Sequence, residues 1–281
     1  MTRETLGSVA LMFVAMSLIP VGDTAGKLLT GGHGASPFFV AFSRFAVGTV
    51  MVVLILGGRV HWPVFRDWRV WLRGALIAAG ISCILTALRT DEIATVFGAF
   101  FVGPLFSYVL SIRFLGERVT PMQTIMLLAG FCGVLLVVRP GFGMTPGLGF
   151  AVLAGLFYGA FLTTSRWLSG VAAPRQLMLS QSVIGTLLLL PLGLAQVPEA
   201  SGPVAGLVLL SGVASASGNL LLVLAYRRSS ATVLAPFVYF QLLSATILGW
   251  VVFGTLPDAP AMAGLALLVA AGVGTVVFRR D

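Results

Sequence analysis

Ten apolar stretches of roughly bilayer length, joined by connections too short to be domains, leave this chain few ways to fold. A hydrocarbon core about 30 Å thick is crossed by about 20 residues of helix, and inside it each backbone polar group must be satisfied within the segment. The stretches run at about 6 to 29, 37 to 57, 71 to 90, 92 to 112, 121 to 139, 147 to 168, 175 to 195, 203 to 226, 231 to 253 and 259 to 278. Breakers mark the connections at Thr30-Gly31-Gly32-His33-Gly34, Arg139-Pro140-Gly141, Val197-Pro198-Glu199 and Pro257-Asp258-Ala259-Pro260. The pattern predicts an all-α membrane protein of ten transmembrane helices. Composition closes the soluble alternative: 58% of the 281 residues are hydrophobic and 9% charged, against about 25% charged in a soluble domain.

The formal net charge is +8, a balance that in a soluble chain points to nucleic acid. Here the charges lie between apolar stretches, so the expected partner is the lipid bilayer and not nucleic acid. Cytoplasmic loops of membrane proteins carry the excess of Lys and Arg. With the N-terminus inside, the cytoplasmic side collects Arg3; Arg59, Arg66, Arg69 and Arg73; Arg113 and Arg118; Arg166 and Arg175; Arg227 and Arg228; and Arg279 and Arg280. The other side holds Arg89 and Arg139, with Lys27 at a helix end. Alternation at each loop predicts an even number of spans and cytoplasmic N- and C-termini. The opening stretch reads as a first span, not a cleaved leader, because Ser17, Pro20 and Asp23 interrupt its apolar run. Cys83 and Cys132 fall inside apolar stretches and read as small buried hydrophobes.

An internal repeat organises the chain. A shift of 137 residues lays Pro37, Ser43, Gly48 and Thr49 over Pro174, Ser180, Gly185 and Thr186, and Ala94-Thr95-Val96 over Ala231-Thr232-Val233. Phe100 and Ser107 fall on Phe237 and Ser244 under the same shift. A shift of 139 sets Lys27-Leu28-Leu29 near Arg166-Trp167-Leu168, and Pro121 and Gly133 on Pro260 and Gly272. We therefore expect a first five-helix repeat over 1–140 and a second over 141–281, together one transmembrane domain. Five is odd, so the halves enter the membrane from opposite sides as an inverted repeat. Such pairs are typical of secondary transporters, with the substrate site near the midplane between them.

Several short motifs carry a family resemblance: the five-plus-five layout, Ser43-Arg44 in the second helix, Ala94-Thr95-Val96 leading into the fourth, and Gly116-Glu117-Arg118-Val119-Thr120 linking to the fifth. In these the chain resembles the EamA-type branch of the drug/metabolite transporter superfamily over nearly all its length. Within that branch it is most similar to YddG-type exporters of aromatic and other amino acids. The second half departs from the pattern where Gly254-Thr255-Leu256 replaces Gly-Glu-Arg. The resemblance implies a bacterial inner-membrane exporter of small metabolites, amino acids foremost, or a permease of the same fold for nucleosides or cationic drugs. It also implies a central cavity lined by helices of both halves.

Polar groups at membrane depth are costly and usually face a bundle interior or a water-filled cavity. Taking the middle of each span, the candidate substrate-binding residues are Ser82, Tyr158, Asn219, Tyr239, Gln241 and Ser244. Ser82 lies over Asn219 under the 137-residue shift, which sets helices 3 and 8 facing each other. Phe97, Phe100, Phe101, Phe157 and Phe237 interleave with these groups, and an apolar pocket with a few hydrogen-bonding groups suits a zwitterion with a hydrophobic side chain. Gly103, Pro104 and Pro236 are candidate hinges, since a kink frees carbonyls. The intramembrane charges Asp23, Lys27 and Arg44 allow two readings, a proton-coupling carboxylate or a structural ion pair. GxxxG spacings at Gly22 to Gly26 and Gly155 to Gly159 read as close helix packing, and a monomer is expected.

Other functional classes find little to stand on. A membrane metalloprotease needs a His-Glu-x-x-His helix, whereas His33 and His61 both lie in loops, so no metal is expected. An aspartyl protease needs two membrane carboxylates, and a selective channel a filter loop or ring of charge. No phosphate-binding Gly-x-x-x-x-Gly-Lys-Ser/Thr loop is present, so no nucleotide cofactor is expected. A secondary carrier or facilitator remains.

Overall fold

The computed structural model describes residues 3–91, 93–138, 145–254 and 258–277. Among the described residues the regular structure is all helical: α1 (Arg3–Lys27), α2 (Pro37–Ile55), α3 (Trp68–Thr90), α4 (Ile93–Phe100), α5 (Val102–Leu115), α6 (Pro121–Val138), α7 (Pro146–Trp167), α8 (Pro174–Leu194), α9 (Gly202–Arg228), α10 (Ala231–Val238), α11 (Phe240–Phe253) and α12 (Ala259–Val277). A π-helical turn, Leu28–Gly32, extends α1, and a short 3-10 turn, Trp62–Arg66, precedes α3. Among the described residues eight stretches are long and apolar enough to cross a membrane, two of them running over the α4–α5 and α10–α11 breaks. Shorter apolar helices, Pro121–Leu136 and Met262–Ala271, lie within α6 and α12. The side of the membrane on which each terminus lies is not a property of this helix set. Arg139 falls outside the described residues, as do Arg279 and Arg280.

Local chemistry starts most of these helices. Ser36, Asp67, Thr145 and Ser201 each stand at an N-cap and accept from a backbone N–H of the first turn, meeting donors that the helix cannot. Proline follows at the first or second position of α2, α7, α8 and α9, where its missing N–H costs nothing. Gly116 after α5 and Gly254 after α11 take the left-handed conformation, with φ of 63° and 70°. The two linkers that differ in sequence beyond their glycine thus begin with the same helix-ending turn.

Single spans expected at 92–112 and 231–253 are each broken in two. Pro104 has no N–H to return to the Phe100 carbonyl four residues back, and the chain breaks at Phe101. The freed carbonyl is covered by α7, because a Cβ on Gly155 would collide with the Phe100 oxygen and one on Gly159 with the Gly103 oxygen. Gly103 in turn has a Cβ position 2.6 Å from the Gly155 oxygen. The Gly155 to Gly159 spacing is therefore the seat of the α4–α5 kink. The second break falls at Tyr239, three residues after Pro236. The backbone at Pro236 is helical, and its ring lies outside the described side chains.

The helices pack in matched pairs: α1 on α9 and α3 on α7, α2 on α8, α6 on α12, α4 and α5 on α7, and α10 and α11 on α1. Exchanging α1–α6 for α7–α12 turns this list into itself. The outer surface is apolar, with Leu54 75%, Phe114 72% and Val251 70% exposed, which suits lipid and not water. Trp62, Trp68 and Trp167 gather near one end, Trp68 and Trp167 edge to face at 6.0 Å, as an interfacial belt does.

Candidate functional site

Seven helices converge on a cavity that is partly open to the outside. Asp23 comes from α1, Arg44 from α2, Gly80 from α3, Phe97 and Phe100 from α4, Tyr158 from α7, Ser215 and Asn219 from α9, and Gln241 from α11. Small residues make the convergence achievable. A Cβ on Gly22 would strike the Ser215 hydroxyl, and one on Gly26 would lie 2.5 Å from Arg44 Nη2. The Gly22 to Gly26 spacing thus admits α9 on one side and a guanidinium on the other.

One wall is charged but self-contained. Arg44 Nη1 donates to Asp23 Oδ1 at 2.7 Å, Nη2 to the Gly22 carbonyl at 2.6 Å and Nε to Ser211 Oγ at 2.8 Å. Ser211 closes the ring by donating to the same Gly22 carbonyl at 2.9 Å. Asp23 is 5% and Arg44 4% exposed. Two charges taken out of water persist only when paired and hydrogen-bonded, and the partners of Arg44 come from two other helices, α1 and α9. Lys27 takes another route and donates to the Asp91 carbonyl at 3.0 Å, at the α3–α4 junction.

Elsewhere in the lining four polar side-chain atoms have no partner within the protein. Tyr158 Oη, Ser215 Oγ, Asn219 Oδ1 and Gln241 Oε1 are buried without a hydrogen bond. Leaving such a group unmet costs about 1–3 kcal/mol, and native interiors hold few of them. All four belong to residues that line this one cavity. Its walls are aromatic, with Phe100 and Tyr158 rings 5.0 Å apart and Phe97 6.0 Å from Phe100.

Of the six residues expected from the sequence, Tyr158, Asn219 and Gln241 line this cavity. Ser82 does not, and its hydroxyl turns back to the Ala78 carbonyl at 2.9 Å. Tyr239 packs edge to face on Phe101 at 5.6 Å and against Gly130 of α6. Ser244 donates to the Ser17 carbonyl at 3.2 Å, joining α11 to α1. Asp23 and Arg44, which the sequence allows as a coupling carboxylate or a structural ion pair, are paired and stand in the cavity wall. Depth along a helix can be counted from sequence, whereas the face it presents cannot.

Arg73 was grouped with the loop arginines and is in fact wholly buried. It donates to Ser165 Oγ at 2.9 Å and the Leu177 carbonyl at 3.1 Å, with its guanidinium 4.7 Å from the Phe161 ring centroid. The available signal was its place three residues inside the stretch at 71 to 90, one turn deeper than Arg69.

A model of the EamA-like transporter family matches residues 6–139 and again residues 145–277. The riboflavin transporter of Rhizobium johnstonii is 30% identical over 76% of this chain and 70% of its own length. The pseudopaline exporter CntI of Pseudomonas aeruginosa is 27% identical over 83% of each. The S-adenosylmethionine uptake transporter of Rickettsia bellii is 25% identical over 94% of this chain and 92% of its own. A solved crystal structure superposes with a TM-score of 0.79 over 95% of this chain and 96% of that one, at 17% identity, and so speaks to the fold.

Proposed function

The chain belongs to the EamA-like transporter family, and from that premise we propose that it carries a small metabolite across a bacterial inner membrane by alternating access about the cavity. The observation that carries the proposal is the set of four unpartnered polar groups facing one space between the halves of the chain. A membrane protein that left them idle would lose stability for no return. The relatives transport different molecules in different directions, one being named an exporter and another an uptake transporter. The family therefore supports the activity class, and an amino acid is one cargo class to test among several.

Ten spans in two inverted five-helix halves, divided near residue 140, remain our reading of the architecture. It is supported by the repeated family match, the paired breaks at Phe101 and Tyr239, and the packing list that survives exchange of the halves. Alternating access needs both ends to open in turn, and each end is tied by a basic residue closing a helix of one half. Lys27 at the end of α1 donates to the Asp91 carbonyl, and Thr145 donates to Asp91 Oδ1 at 2.9 Å. Arg166 in the last turn of α7 donates to the Tyr226 carbonyl at 3.2 Å and to Glu117 Oε1 at 3.4 Å, and the Ala231 N–H reaches the same Glu117 oxygen at 3.1 Å.

Counterflow in liposomes tests the activity directly. The wild type should exchange at least one compound from a panel of labelled flavins, nucleosides, amino acids and amines faster than empty liposomes. Asn219→Ala and Gln241→Ala should each lower that rate about tenfold or more while melting within a few degrees of wild type, since the amide oxygens they remove have no protein partner and the Asn219 N–H meets only a carbonyl of its own helix. Normal exchange by both variants would remove the cavity from the transport path.

A further inference from the structure

Arg73 is wholly buried in α3, and among the described residues no carboxylate opposes it: Asp23, Asp67 and Glu117 pair with Arg44, Arg69 and Arg166. Its Nε and Nη1 each donate once, to Ser165 Oγ and to the Leu177 carbonyl, and Nη2 has no partner. Of the five N–H groups a guanidinium carries, three are therefore uncommitted. The matching end of the molecule is arranged otherwise. There α1 supplies Asp23 to Arg44, whereas α7, which packs as the counterpart of α1, has no Asp or Glu anywhere in Pro146–Trp167. Gln181 takes the place of Arg44 under the 137-residue shift, one turn past Leu177. The second half thus lacks both members of the pair, and the charge at its end comes from α3 of the first half without an acid.

Both acceptors of Arg73 belong to the other half of the chain, on α7 and α8, and neither depends on it. Ser165 Oγ donates to the Phe161 carbonyl at 2.7 Å, and the Leu177 carbonyl also accepts from Ser180 Oγ at 2.9 Å. Separating the halves at this end, where Arg166 follows Ser165, frees the guanidinium without stranding either acceptor. The freed group also adjoins the transport cavity. It lies 4.7 Å from the Phe161 centroid, and the Phe161 ring stacks at 5.9 Å on Tyr158, which lines that cavity. Tyr158, Phe161 and Ser165 fall at i, i+3 and i+7, one stripe of α7. A guanidinium with free N–H groups binds carboxylate and phosphate through parallel hydrogen bonds, and one kept in a dry site without an opposing charge weakens the state that keeps it. We propose that opening of the Arg166 end turns Arg73 into a binding site for an anion, either an inorganic ion or the acid group of the cargo; the proposal rests on the alternating-access reading above.

Thermal unfolding of the full chain in detergent tests this without transport. Sodium chloride probes an inorganic ion, and sodium acetate and sodium methyl phosphate probe the acid groups of a metabolite. At least one of the three should raise the melting temperature of wild type about 3 °C more than that of Arg73→Gln at the same concentration, since a ligand stabilises only the protein that binds it. Chloride ahead of both others assigns the site to an ion, whereas acetate or methyl phosphate equal to or ahead of chloride assigns it to cargo. Ser165→Ala removes a bond that holds Arg73 in the closed end, so the effective salt should reach half its effect at a roughly threefold lower concentration than in wild type. A salt response equal in wild type and Arg73→Gln overturns the proposal. So does an unmoved midpoint in Ser165→Ala, which decides alone if Arg73→Gln does not fold. Failure of the transport reading has a different signature: liposomes that exchange no compound in the counterflow panel, whatever the salts do.

Discussion

Ser82 and Asn219 occupy matching positions on α3 and α9, and both side chains bond back to the carbonyl four residues earlier, Ala78 and Ser215. The serine hydroxyl ends there. The asparagine has a second polar atom, which is buried without a partner in a residue that lines the cavity. Asp23 and Arg44 show the opposite economy, spending most of their capacity on each other. Removing one leaves a buried charge unopposed, a loss of about 3–5 kcal/mol, whereas removing both does not. Asp23→Asn and Arg44→Gln should each melt well below the double variant in a thermal unfolding series. If Asp23→Asn instead melts like wild type and its transport loses pH dependence, Asp23 is a coupling carboxylate. Both residues were legible as intramembrane charges, but their place in the cavity wall was not, because only the packing of α1 on α9 turns that face inward.

At the scale of elements, the α4–α5 break and the α7 glycines form one device. Pro104 releases the Phe100 carbonyl, and Gly155 lets α7 close over it. Any side chain at Gly155 must push the kink away from α7. Gly155→Val should therefore lower the yield of folded protein and its melting temperature sharply, by more than the roughly 1 kcal/mol ordinary for a helix glycine. Gly149, on the same helix with open space where its Cβ would stand, provides the control: Gly149→Ala should be neutral or raise the melting temperature slightly. The spacing and the proline were visible in the sequence. That they belong to each other was not, since residues about fifty apart meet only when α4 and α5 lie on α7.

Over the whole molecule, the two ties are built from different materials. One joins Lys27 to the Asp91 carbonyl and Thr145 to the Asp91 carboxylate, and the other sets the Glu117 carboxylate between Arg166 and the Ala231 N–H. Neutralising Glu117 should loosen one end selectively. In Glu117→Gln, a cysteine placed at Ser215 should be alkylated several-fold faster by an impermeant reagent applied from the Arg166 end, and no faster from the Lys27 end. The arginine bias makes the Arg166 end cytoplasmic. A cysteine at position 66 should then label only when the reagent reaches the cytoplasm, and labelling in sealed cells from the periplasm would reverse the orientation.

What this chain is could be read from order and spacing alone, because a bilayer imposes lengths, a punctuation of proline and glycine, and a sidedness of charge that are all one-dimensional. Caps at Ser36, Asp67, Thr145 and Ser201, the left-handed turn at Gly116, and the polar trio Tyr158, Asn219 and Gln241 belong to that class of information. The facing of each helix is three-dimensional. An apolar helix in lipid has no strong polar side to betray its rotation, so Tyr239 and Ser244 could be counted to the midplane and still be turned toward α6 and α1. Arg73 could be counted into a loop and lie wholly buried against Phe161. Tertiary packing decided those rotations, and with them which polar atoms were left open to a substrate.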